Sequence, residues 1–106
     1  MNFETTNLFD KQAKRLSKKY KNIKSDLTRL LREFDDYHQN AIEIKSNLYK
    51  IRLANSSKNR GKRAGFRIYY YIKIKQTVYM LTVYDKSEVE MIDEELLQDL
   101  ISKIEG

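Results

Sequence analysis

The sequence predicts an α+β fold: an N-terminal helical hairpin packed on a small, mainly antiparallel sheet, in the order β-α-α-β-β-β-α. Three observations lead there. Apolar residues recur at helical spacing through the first third of the chain, the period switches from 3.6 to 2 at about Leu48, and the last dozen residues return to a helical period. A chain of 106 residues builds one modest core, so one domain over residues 1–106 is expected.

Taken in order, Asn2 to Thr5 reads as a short edge strand, with Phe3 flanked by polar residues. Thr6 or Asn7 then caps a helix with Asp10 in its first turn. Phe9, Ala13, Leu16 and Tyr20 mark its apolar stripe, and Lys11, Lys14, Arg15, Lys18 and Lys19 lie around it. Lys21-Asn22 breaks the pattern, and Ile23, Leu27, Leu30, Leu31, Phe34 and Tyr37 define a second helix to about His38. A link this tight makes the two helices a hairpin. Gln39 to Asn47 has no strong period and reads as a connector.

Three strands follow. In Leu48 to Ala54, Tyr49, Ile51 and Leu53 point one way and Lys50 and Arg52 the other. In Phe66 to Ile74, Phe66, Ile68, Tyr70, Ile72 and Ile74 alternate with Arg67, Tyr69, Tyr71 and Lys73. Asn55 to Gly65, with Ser, Asn and two glycines, reads as a mobile loop tipped with Lys58, Arg60, Lys62 and Arg63. Lys75-Gln76 makes a tight turn into Thr77 to Tyr84, whose apolar residues on both faces predict a central strand. Ser87 with Glu90 forms a capping-box pattern and Asp93 is a second candidate cap. Leu96, Leu97, Leu100, Ile101 and Ile104 then mark a closing helix with an acidic outer face.

Composition excludes several chemistries. Without cysteine there is neither disulfide nor thiolate, and with one histidine a metal centre is not expected. His38 and the carboxylate pairs Asp35-Asp36 and Glu94-Glu95 read as structural or solvated groups. No Gly-rich phosphate loop, nucleophile elbow or metal-ligand spacing is present. No cofactor is expected. There is no run of roughly 20 apolar residues and no signal-peptide pattern at the start, so a cytoplasmic protein with no membrane partner is expected.

Charge is the strongest functional signal. Between Ile44 and Tyr84 there is no Asp or Glu but ten Lys or Arg, leaving 11 basic against 15 acidic residues elsewhere. A segment of +10 with Tyr and Phe between its cations is the footprint of a protein that meets a polyanion, most often nucleic acid. Arg can neutralise charge building on a phosphate, and aromatic rings such as Tyr69 and Tyr71 can stack on splayed bases. A lysine crowded by cations loses proton affinity, so Lys50 beside Arg52, or Lys86 near Tyr84, suits proton transfer in attack by a ribose 2′-hydroxyl. Lys58, Arg60, Lys62, Arg63 and Lys73 suit phosphate contacts. Residue types alone leave open binding without chemistry.

The runs Leu48-Tyr49-Lys50-Ile51-Arg52-Leu53, Gly65-Phe66-Arg67-Ile68-Tyr69-Tyr70 and Val83-Tyr84-Asp85-Lys86-Ser87-Glu88 resemble the RelE/ParE toxins of bacterial toxin-antitoxin modules. The likeness spans nearly the whole chain. It implies a small α+β toxin that cleaves messenger RNA on the translating ribosome without a metal and is held inactive by a cognate antitoxin. It further implies a site of Lys50, Arg52, Arg67, Tyr84 and Lys86; alternation projects Arg67 from the same polar face as Lys50 and Arg52, so Arg67 is expected to be the principal residue at the transition state. Arginine stands at Arg52 where the RelE prototype has lysine. Met91 and Ile92 stand near the prototype's tyrosine, leaving Tyr84 to substitute. The long basic loop looks more like the HigB branch. A ParE-like inhibitor of DNA gyrase and a non-catalytic RNA- or DNA-binding module are the alternative readings.

Overall fold

The computed structural model describes residues 1–58, 64–74, 76–88 and 92–106. Its elements run β1 (Asn2–Thr5), α1 (Asn7–Lys19), α2 (Ile23–Arg32), α3 (Phe34–Gln39), β2 (Ile42–Lys45), β3 (Leu48–Leu53), β4 (Phe66–Lys73), β5 (Thr77–Asp85) and α4 (Glu94–Glu105). The strands form one mixed sheet in the order β1-β5-β4-β3-β2, with β1 parallel to β5 and the remaining pairs antiparallel. The α+β class and the strand alternation therefore hold.

Local chemistry sets the helix starts. Thr6 is extended and its hydroxyl accepts from the Phe9 N–H, while Asp93 accepts from the Glu95 N–H. Of the two cap candidates for the last helix, Asp93 is used; Glu90 lies outside the described residues.

Three elements differ from expectation. The second helix is interrupted at Glu33, which leaves helical geometry at φ −110°, ψ 28°. The break turns Phe34 into the core, where its ring meets Phe3 and Tyr70 edge-on, both at 5.2 Å between centroids. The expected connector contains β2, an edge strand whose short Ile-Glu-Ile-Lys alternation is only four residues long. Ile74 is not a core residue: it sits in the turn after β4 at φ 48° and is 79% exposed.

The sheet is covered on both faces. Beneath α1 and α2, Phe9, Leu16, Ile23 and Leu30 pack on Ile51, Phe66, Ile68, Tyr70, Val78, Met80 and Val83. On the opposite face α4 lays Leu97 and Ile101 over Leu48, Tyr69, Leu81 and Tyr84. Full burial of one such aliphatic side chain contributes roughly 1.5–3 kcal/mol.

A bulge reconciles β5 with both layers. Its register against β4 shifts between Tyr69 and Tyr70, whose partners are Thr82 and Met80, so Leu81 is the extra residue. The shift sends Met80 and Val83 to one core and Leu81 and Tyr84 to the other. Backbone groups beyond the end of β1 are met by the N-terminal helix region: Thr6 Oγ1 donates to the Leu81 carbonyl (2.7 Å), and Gln12 Oε1 accepts from the Val83 N–H (2.9 Å). Among the described residues no helix is long and apolar enough to cross a membrane.

Candidate nucleic-acid interface

Strand alternation puts the basic side chains of β3 and β4 on the α4 side of the sheet. The register sets Arg52 opposite Arg67, which is in turn opposite Tyr84, and sets Lys50 opposite Tyr69. Lys86 follows directly after β5, its N–H donating to the Gly65 carbonyl at 3.1 Å. Lys50, Arg52, Arg67 and Lys86 are thereby brought into one electrostatic neighbourhood.

Burial, then the charges of Arg67, Arg52 and Lys86, hold the Lys50 ammonium below the ordinary lysine value. Its Nζ lies 5.8 Å from the centre of the Tyr69 ring. Lys50 also stands between two openings. One cleft of about 330 Å³, between the end of α3 and the edge of β3, is lined by Tyr37, Asn40, Ile42 and Arg52. The other, about 500 Å³, lies toward the start of α4 and is lined by Ile44, Tyr69, Ile92 and Glu94.

Several predicted site residues occupy other positions. Arg67 is 3% exposed, and its Nη1 donates to the Gly65 and Phe66 carbonyls at 3.4 and 3.3 Å. Burial, then Arg52, lowers its proton affinity while Tyr84 and Asp85 oppose that shift; an arginine stays charged nonetheless. Its position is that of a fixed cation under the site rather than a projecting one. Tyr84 and Tyr69 are 2% and 4% exposed, with rings stacked at 6.3 Å, so neither offers an open face to a base. Burial, then Tyr84, pushes the Tyr69 hydroxyl strongly up. Tyr71 donates to Glu105 at 2.6 Å, and Lys73 donates to the Ile104 carbonyl at 3.0 Å, so both tie α4 to the sheet.

The loop differs as well. Lys58 donates to Asp85 at 2.5 Å and lies against the Tyr20 ring, so it is not a free phosphate contact. Arg60, Lys62 and Arg63 lie outside the described residues, as do Gly61, Lys75 and Met91. Gly65, at the end of this loop, is set against the backbone of β3. A Cβ there would come within 2.2 Å of the Leu53 carbonyl oxygen, so glycine is required by close backbone approach.

Asp85 and Asp26, both fully buried, were missed in the sequence. Asp85 accepts from Asn55, Lys58 and both the N–H and hydroxyl of Ser87. Burial pushes its carboxyl up, but these hydrogen bonds outweigh it and hold the group below the usual carboxylate range. Asp26 accepts from the Ser56 N–H and pairs with Arg29 at 3.4 Å. Together they anchor the first residues of the basic loop. The only visible signal was a helix face with a single Asp at a core position.

His38 Nδ1 meets the buried Tyr70 hydroxyl at 2.5 Å, on the face away from the cation cluster. Among the described residues no three His, Cys, Asp or Glu side chains are placed to hold a metal ion. No protein-family model matches the sequence.

Proposed function

We propose that this chain is a RelE-like toxin that cleaves translated messenger RNA in the ribosomal decoding site and is neutralised by a cognate antitoxin protein. The observation that supports this reading is Lys50: a lysine of lowered proton affinity, surrounded by Arg52, Arg67 and Lys86 and opening onto two clefts. The meander β3-β4-β5 with its closing helix is also what the resemblance implies.

In this reading neutral Lys50 takes the proton from a ribose 2′-hydroxyl. The 2′-oxygen attacks the adjacent phosphorus, the bond from phosphorus to the 5′-oxygen breaks, and the leaving oxygen takes a proton. The products are a 2′,3′-cyclic phosphate and a 5′-hydroxyl end. Arg52 and Lys86, both exposed, contact the non-bridging oxygens, and Lys86 gives the leaving oxygen its proton in this reading. Arg67 holds positive charge beneath them without needing to reorganise. Tyr84 acts through Tyr69 as a positioning residue.

Burial of Arg67 and Tyr84 favours a second reading without chemistry, either a module that binds RNA or DNA without cutting or a ParE-like inhibitor that binds DNA gyrase. Induction in cells followed by mapping of messenger 5′ ends separates them. Cuts within translated codons, reduced about 10²–10³-fold by Arg52→Gln, are expected. Intact messengers with stalled replication would instead assign the protein to gyrase.

A further inference from the structure

The α4 side of the sheet is not the only basic surface. Residues 11–25 contain Lys11, Lys14, Arg15, Lys18, Lys19, Lys21 and Lys24 and no carboxylate. Removing these seven from the 11 cations outside the central segment leaves 4 against 15 acidic residues, so the rest of the molecule is strongly acidic. All seven are exposed. Among the described residues Arg15 is the one of them in an ion pair, with Glu88 at 3.0 Å.

Geometry makes them one surface. At 100° per residue the five cations within α1 fall inside an arc of about 140°, opposite the buried Phe9, Leu16 and Tyr20. Lys21 and Lys24 continue this basic run into the turn and α2. Since α1 covers the face of the sheet away from Lys50 and Arg52, the protein is basic on both sides.

We infer that the outer face of α1 is a second docking surface, and that its occupant is the phosphate backbone of a folded RNA. Three features select that partner. Like charges this crowded, with only Arg15 met by a carboxylate among the described residues, repel one another until a polyanion supplies the countercharge. A protein partner would need apolar or aromatic anchors, yet the exposed residues of α1 are all polar or charged, and six of the seven cations are lysine, which protein interfaces avoid. An anionic membrane would need an apolar face to insert, and that face of α1 is committed to the core. The inference takes its choice of RNA from the function proposed above but does not depend on cleavage. The molecule measures 38 × 26 × 20 Å, so a folded RNA that surrounds it can meet both sides at once.

The test is salt-dependent binding of the whole protein to a folded hairpin RNA, followed by fluorescence anisotropy. Lys11→Gln, Lys14→Gln, Lys18→Gln and Lys21→Gln are combined, and a matched set of Lys→Arg changes retains the charge. The glutamine set should keep the parent's melting temperature and lower the slope of log K against log salt by about 3, at 0.7–0.9 per lost phosphate contact. The arginine set should restore it. An unchanged slope and affinity in the glutamine set overturns the inference, as does a loss confined to vesicles of anionic lipid. The cleavage reading is scored separately: if Lys50→Gln leaves messenger cutting intact, that reading fails whatever the α1 variants show.

Discussion

The two faces of the sheet are built from the same strands by different rules. Beneath α1 and α2 the side chains of β3, β4 and β5 are apolar or aromatic and almost wholly buried. Beneath α4 the same strands present Lys50, Arg52, Arg67, Tyr69 and Tyr84, and α4 is held by a shorter apolar strip together with polar ties at Tyr71 and Lys73. One face carries stability and the other carries charge. A cluster of like charges is tolerated because the opposite face supplies the burial that outweighs it.

Truncating the stable face should therefore cost most. Phe66, fully buried and edge-on to Tyr20 at 5.8 Å, is expected to lose about 3–5 kcal/mol as Phe66→Ala in urea denaturation. Leu97→Ala, on the buried side of α4, should cost about 2 kcal/mol, the low end for such truncations, because a terminal helix can release locally. Its clearest mark should be faster amide hydrogen exchange in α4 with β4 and β5 still protected. Equal losses at both positions, with uniform exchange, would erase the distinction between the faces.

A smaller effect tests the anchor of the basic loop. The folded pKa of Asp85 lies below its unfolded value, so its stabilisation is present above the unfolded pKa of about 3.9 and is lost as pH falls through the folded pKa. Asp85→Asn should cost about 1–3 kcal/mol at neutral pH and flatten the acid limb of the stability profile. A variant with the parent's acid limb would show that the hydrogen bonds from Asn55, Lys58 and Ser87 do not favour the ionised form.

The period of two fixed the faces of β3 and β4, because side-chain direction in a strand needs no tertiary information. It also placed Lys50, Arg52 and Arg67 on a common face. Exposure was not legible, since it depends on what lies above the sheet. The closing helix was expected, but not that it would bury Tyr69 and Tyr84 and engage Tyr71 and Lys73. Lys58 reads as a free loop cation until Asp85, 27 residues away, is brought beside it. β2 was hidden by its length, and the basic face of α1 was overshadowed by the larger central run.

The central claim is that Lys50 is the reacting centre of a cation cluster that receives an RNA phosphate. It is tested most directly by titrating Lys50 through NMR of ¹³C-labelled lysine side chains, with Lys50→Arg assigning the signal. In the free protein Lys50 should titrate below the ordinary lysine value and move up in Arg52→Gln, which removes one of the charges that depress it. Adding an RNA made uncleavable by a 2′-deoxy ribose at the attacked position should also move it up, because the bound phosphate offsets the cations. A Lys50 that titrates like a free lysine and ignores both the substitution and the RNA would contradict the account.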